Sequence, residues 1–130
     1  MGAENTGYIL IVEDDPGTWR LEEESLKELG LPLKRAATAE EAEAAIRAGP
    51  PALLVLDYCL PGASAAELLA KLRAAGAAVP HCVLVSGAPD DDLQEQAREC
   101  RADSCVTKDC RFLGNLLEAA RKALACGAGK

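Results

Sequence analysis

A chain of 130 residues, 49% of them hydrophobic and 27% charged, is long enough for one real core and too short for two, and its composition fits neither a disordered segment nor a membrane-embedded one. A net charge of −7 with no basic stripe excludes direct nucleic-acid binding, which needs a positive face toward the phosphates. No apolar run approaches the roughly 20 residues that span a bilayer, and residues 1–7, MGAENTG, lack the basic and apolar regions of a signal peptide, so a cytoplasmic protein without a membrane partner is expected.

Taken in order, the chain alternates. Tyr8 to Val12 is a β-rich apolar run ending in Glu13-Asp14-Asp15, and Pro16 suits the first turn of a helix predicted to run to about Leu29 and stop at Gly30. Leu33 to Ala37 reads as a weak second strand. Thr38 with Glu41 has the pattern of a capping box, opening a helix through about Ala48 that Gly49-Pro50 closes. Leu53, Leu54, Val55 and Leu56 lie between Pro50-Pro51 and Pro61-Gly62, the pattern of a strand covered on both faces, and Asp57 closes it. Ser64 or nearby begins a helix with Leu68, Leu69 and Leu72 on one face, broken at Gly76. Pro80 to Ser86 supplies a fourth strand through Val83, Leu84 and Val85, and the chain turns at Gly87. Residues 90–101 are helix-prone but carry only Leu93, Ala97 and Cys100 as a thin apolar face, so this helix is expected to be loosely held and mobile. Ser104 to Thr107 makes a short fifth strand, and Phe112 to Ala125 places Leu113, Leu116, Leu117, Ala120 and Leu124 at helical spacing. Five strands alternating with five helices, without repeat or linker, predict one α/β domain: a parallel sheet with right-handed crossovers and helices on both faces.

The chemistry sits at the strand ends. In open α/β sheets reactive groups gather at the carboxyl ends of the strands. Asp57 alone could merely begin a turn, but Glu13-Asp14 end strand one, Ser86 ends strand four and Lys108 follows strand five, all at the equivalent end. Three carboxylates brought together repel one another, and one lysine does not offset them; a hard divalent cation does, and an oxygen-only set suits Mg²⁺. A metal beside Asp57 would also neutralise an incoming phosphoryl group, so that the carboxylate acts as nucleophile and forms an acyl phosphate. Lys108 as a point charge and the Ser86 hydroxyl as a donor would hold the phosphoryl oxygens.

Other conspicuous residues have blander readings. The six cysteines, Cys59, Cys82, Cys100, Cys105, Cys110 and Cys126, show no close paired spacing of the metal-site kind and are expected to be reduced, most of them small apolar fillers. His81 at a strand start reads as structural. Trp19, amid Arg20, Glu22, Glu23 and Glu24, reads as a partly exposed residue at the edge of the core. Asp90-Asp91-Asp92 favours the positive end of the helix it opens and could steer a basic partner. A flavin- or nucleotide-binding enzyme on the same kind of fold would cradle phosphate in the turn after strand one, where this chain has three acids.

Over about residues 8–125 the chain resembles the receiver domains of bacterial two-component response regulators, which are CheY-like. The residues that carry the likeness are Glu13-Asp14 after ILIV, Asp57 in LLVLDYCLPG, Ser86-Gly87 after VLV, and Lys108 in VTKD, in family order and near family spacing. The resemblance implies a doubly wound (βα)5 sheet of flavodoxin-like order 2-1-3-4-5 and a signalling switch rather than an enzyme. It implies a phosphoryl group taken by Asp57 from the phosphohistidine of a histidine kinase or phosphotransfer protein. By the same likeness Mg²⁺ is held directly by Asp14 and Asp57, through water by Glu13 and by the backbone carbonyl of Cys59, while Asp15 does not touch it. Ser86 and Lys108 then draw inward on the phosphoryl group, and a partner is expected on the face formed by 90–101, 104–107 and 110–125. Two positions depart from the family: Cys105 stands where an aromatic residue usually reports phosphorylation, and Asp109 stands where a proline usually follows the lysine. Both bear on how the signal is relayed, not on the groups that react. Cys59 and Ala88 are small and should leave water some access to the acyl phosphate. A stand-alone receiver without an output domain, a receiver from a longer chain such as a hybrid sensor kinase, and a docking module that no longer uses phosphorylation all fit this sequence.

Overall fold

β-Branched and leucine-rich runs with no polar interruption form the centre of the sheet, because only a strand covered on both faces can bury every side chain. β1 (Ile9–Val12) and β3 (Leu53–Asp57) are buried along their whole length. β2 (Leu33–Ala36) flanks β1, while β4 (His81–Ser86) and β5 (Ser104–Thr107) continue the sheet beyond β3. The order is β2-β1-β3-β4-β5 with every pairing parallel, the flavodoxin-like arrangement expected. The computed structural model describes residues 7–60, 63–76, 81–87 and 90–128, with the backbone alone for 90, 91 and 126–128. Pro61-Gly62, Pro80 and Ala88, and the side chains of Asp90, Asp91 and Cys126, thus lie outside the described residues.

Alternation along the strands divides the interior in two. Leu10, Val12, Leu54, Leu56, Cys82 and Leu84 face α2 (Ala39–Ala48), α3 (Ala65–Ala74) and Cys100 of α4 (Asp90–Cys100). Ile9, Ile11, Leu53, Val55, Val83 and Val85 face α1 (Pro16–Leu26) and α5 (Phe112–Ala128), where Leu26, Phe112, Leu116 and Ala120 meet them. Each fully buried Leu or Ile contributes about 1.5–3 kcal/mol, so the two layers hold the strand ends in fixed register.

The helix starts are chemically marked. Asp15 caps α1 by accepting from the Thr18 amide at 2.8 Å and the Thr18 hydroxyl at 2.7 Å, with Pro16 in the first turn. At α2, Thr38 accepts from the Glu41 amide, but Glu41 reaches back to the Ala37 amide at 2.8 Å, one residue before the position that a capping box requires. The reciprocal box forms instead at α3, between Ser64 and Glu67. α1 also ends earlier than predicted, at Leu26, and a 3₁₀ turn over Lys27–Leu29 leads into Gly30, whose φ of 81° is open to glycine at little cost. β2 stops at Ala36, α5 continues to Ala128, and a two-residue antiparallel ribbon, Cys59–Leu60 with Ala63–Ser64, sits between β3 and α3, unforeseen in the sequence. No described helix is long and apolar enough to cross a membrane.

Candidate functional site

Register alone brings the polar strand ends together. Val12 pairs with Leu56, so Glu13, one residue on, lies beside Asp57; Val85 pairs with Asp57 on the other side, and Ser86 with Thr107, so Lys108 emerges next to Ser86. The Lys108 amide donates to the Ser86 carbonyl at 2.8 Å, which carries the pairing one step past the end of β5.

At this edge the Lys108 ammonium donates to Glu13 Oε1 at 3.2 Å and to Asp57 Oδ2 at 3.4 Å. Carboxylate oxygens of Glu13, Asp14 and Asp57 all lie within 4.8 Å of one another. Glu13 and Asp57 are 1% and 7% exposed, Ser86 is buried as well, and Asp14 faces solvent, so the cluster opens outward through Asp14. Asp15 is turned to the α1 cap instead. Cys59, two residues after Asp57, presents its amide to the Asp57 carboxylate.

Three carboxylates around one ammonium leave the charges unbalanced. Burial pushes the Asp57 carboxyl above its ordinary range, with Asp14 adding to the rise, while Lys108 and the Cys59 amide oppose it. Burial likewise raises Glu13, helped by Asp57 and opposed by the Asp15 amide and Lys108. Burial pulls Lys108 down, but Asp57 and Glu13 outweigh it and hold the ammonium charged more firmly than in water. The lysine therefore gains from the pairing while the acids remain under-compensated. An all-oxygen set of three carboxylates with that deficit fits a hard divalent cation such as Mg²⁺.

Sequence reasoning missed three participants. Glu22 is 1% exposed on the inner face of α1, and its Oε1 has no hydrogen-bond partner among the described residues. Its carboxyl is pushed up to about 8, first by burial and then by Glu13. Trp19 and Leu26 stand three residues before it and four after, so helical spacing from those two would have placed it inside. Arg35 reaches from β2 to the Glu13 and Asp14 carbonyls. Tyr58 donates its hydroxyl to Glu99 of α4 at 2.8 Å. Most of the described cysteines fill apolar space as expected: Cys82 and Cys100 are buried in the core and Cys105 packs half-buried against it, while Cys59 and Cys110 are exposed. All five stand as free thiols.

Cys105, on β5, accepts from the Gln94 amide of α4 at 3.7 Å. His81 lies 3.7 Å from Asp103 beside the β4 start, and Asp103 in turn accepts from the Cys82 amide. Asp109 accepts from the Arg111 amide and shapes the turn into α5.

Comparison with known proteins agrees with this arrangement. The family model described as "Response regulator receiver domain" matches residues 9–121. A response regulator receiver domain protein (CheY-like) from Methanospirillum hungatei JF-1 superposes with a TM-score of 0.77 at 27% identity, over 95% of this chain and 97% of that one. DrrB, a Thermotoga maritima OmpR/PhoB homolog, gives 0.79 at 25% identity over 93% of this chain but 54% of its own. The receiver domain of Francisella response regulator 1452 gives 0.79 at 19% identity, over 92% of this chain and 98% of that one, a likeness of fold alone. No curated protein matches.

Proposed function

Since the chain belongs to the response regulator receiver domain family, we propose that it is a phosphoacceptor: Asp57 takes a phosphoryl group from a phosphohistidine donor, with Mg²⁺, and the change of state is passed to a protein partner. One observation carries this reading. A buried carboxylate at the end of the central strand is paired to the Lys108 ammonium inside a cluster that also holds Glu13 and Asp14.

Asp14 and Asp57 would hold Mg²⁺, with Glu13 contributing through water and the Cys59 backbone carbonyl completing the protein's share. When bound, the ion supplies positive charge against the phosphoryl oxygens. The chain's own residues do the rest. An Asp57 carboxylate oxygen attacks phosphorus, the P–N bond to the histidine breaks with its electron pair going to the ring nitrogen, and that nitrogen takes a proton from water as the neutral imidazole leaves. The product is a mixed anhydride at Asp57. Lys108, already within hydrogen-bond reach of Asp57, turns to a phosphoryl oxygen, and the Ser86 hydroxyl donates to another. The release of Lys108 from Glu13 and Asp57 shifts α4, so the signal leaves through the face formed by α4, β5 and α5. The donor is a histidine kinase or phosphotransfer protein, and the site of action is the cytoplasm. The chain is read as one domain over residues 1–130, working alone or as part of a longer protein, as in the DrrB chain.

Phosphoramidate, which carries the same P–N bond, tests this directly. Incubated with Mg²⁺, the wild-type chain is expected to gain the mass of one phosphoryl group, and Asp57→Asn to gain none. Chelating the metal should stop the gain. A second reading, a docking module independent of phosphorylation, draws on Cys105, where no aromatic ring is present to move. An unmodified wild-type mass would favour it.

A further inference from the structure

We propose that Arg35 is a positioning residue for the magnesium pocket: braced on the ring of Trp19, its guanidinium holds the backbone carbonyls of Glu13 and Asp14 so that both carboxylates are turned toward Asp57. The inference rests on the Mg²⁺ reading above and goes beyond it to a residue of β2.

Arg35 pairs with Ile11 in the β1–β2 ladder, two residues short of Glu13, and its long side chain covers that gap along the strand. Nε donates to the Glu13 carbonyl at 3.4 Å and Nη2 to the Asp14 carbonyl at 3.3 Å. The guanidinium carbon lies 5.7 Å from the centre of the Trp19 ring, on the second turn of α1. The Glu13 amide is held by the Ala36 carbonyl at 3.0 Å, so β2 fixes both the amide and the carbonyl of this residue. Asp14 is exposed, and the Arg35 contact is what ties its carbonyl to the sheet. Each of the two hydrogen bonds is long and weak by itself. A planar fork makes both at once and stacks on an indole, which an ammonium cannot do. Fixing the carbonyls fixes the peptide planes on either side of Asp14, and thereby the direction of its carboxylate.

Charge and positioning have opposite signs here, which makes the role separable. A guanidinium beside a cation site repels the cation, so removing a mere charge would tighten Mg²⁺ binding. Removing a positioning group loosens it. Magnesium titration of the whole chain by calorimetry is the measurement, with thermal unfolding in the absence of Mg²⁺ alongside. Arg35→Ala is expected to raise the Mg²⁺ Kd by about tenfold, the low end for groups that orient metal ligands from behind. Arg35→Lys, which keeps the charge and loses the fork, is expected to recover little of the loss, while the unfolding midpoint of both variants stays near that of wild type. An Arg35→Ala chain that binds Mg²⁺ as tightly as wild type or tighter would overturn the assignment, as would full recovery in Arg35→Lys. If the wild-type chain itself fails to bind Mg²⁺, the metal reading fails and takes this role with it; normal wild-type binding with unchanged variants removes the role of Arg35 alone.

Discussion

Glu22→Leu stabilises the fold, and the gain grows as pH rises. In the folded chain the Glu22 carboxyl holds its proton up to about 8, against an ordinary value of 4.5, because it is buried, with Oε1 unpartnered among the described residues, and faces the charge of Glu13. A carboxyl raised in this way contributes its full share below the unfolded value and loses it as pH climbs through the folded one. Between those limits the folded state binds one more proton than the unfolded chain, so stability falls by about 1.4 kcal/mol per pH unit. The whole span amounts to at most about 5 kcal/mol. Leucine removes the slope and fills the same space on the inner face of α1. Chemical denaturation near pH 5 and near pH 8 should show wild type and Glu22→Leu close together at the lower value and separated by about 3 kcal/mol or more at the higher. A separation that does not change with pH would show that Glu22 is ionised and paired throughout.

Lys108→Ala acts in the opposite direction and on two readouts. The ammonium is the group that holds Glu13 and Asp57 at 3.2 and 3.4 Å, and without it two buried carboxylates face each other. Breaking a buried pair costs 3–5 kcal/mol in enclosed settings; the Lys108 side chain is 28% exposed, so solvent screening reduces the expected loss at neutral pH to about 2 kcal/mol. Since burial already raises both carboxyls, the loss shrinks as pH falls and they take up protons. Phosphoryl incorporation from phosphoramidate is expected to fall by about a hundredfold, the scale for one charge-stabilising donor lost at a reacting centre. Stopped incorporation with unchanged stability would mean that Lys108 meets only the phosphoryl group. Lost stability with full incorporation would mean that it serves only the resting fold.

The fold was legible because its strands are short, apolar and punctuated. LLVL before Asp57 and ILIV before Glu13 are uninterrupted runs, and parallel register converts "one residue after the run" into "side by side in space". That same rule drew Ser86 and Lys108 to the acidic cluster. What lay hidden depends on helical phase or on long side chains. In α1 the apolar residues are sparse, and Leu21 and Glu22 are adjacent; the fold turns Leu21 out to solvent at 53% exposure and Glu22 inward. Composition alone favours the reverse. Arg35 lies in a half-exposed edge strand whose sequence says nothing of the carbonyls across the ladder. Glu41 reaches one residue further back than a capping box because the chain enters α2 extended from β2, which brings the Ala37 amide within reach. Tyr58 meets Glu99 across 41 residues of sequence, a contact that no local pattern encodes.

An acyl phosphate differs from every other phosphorylated side chain in that borohydride reduces it to an alcohol. Treating the chain with phosphoramidate and Mg²⁺, reducing it and mapping its peptides therefore reads the nucleophile directly. Homoserine at position 57 and at no other aspartate is the expected result. Aspartate unchanged at 57, with phosphate found on His81 or a serine, or the reduced alcohol at another carboxylate, would contradict the account at its centre.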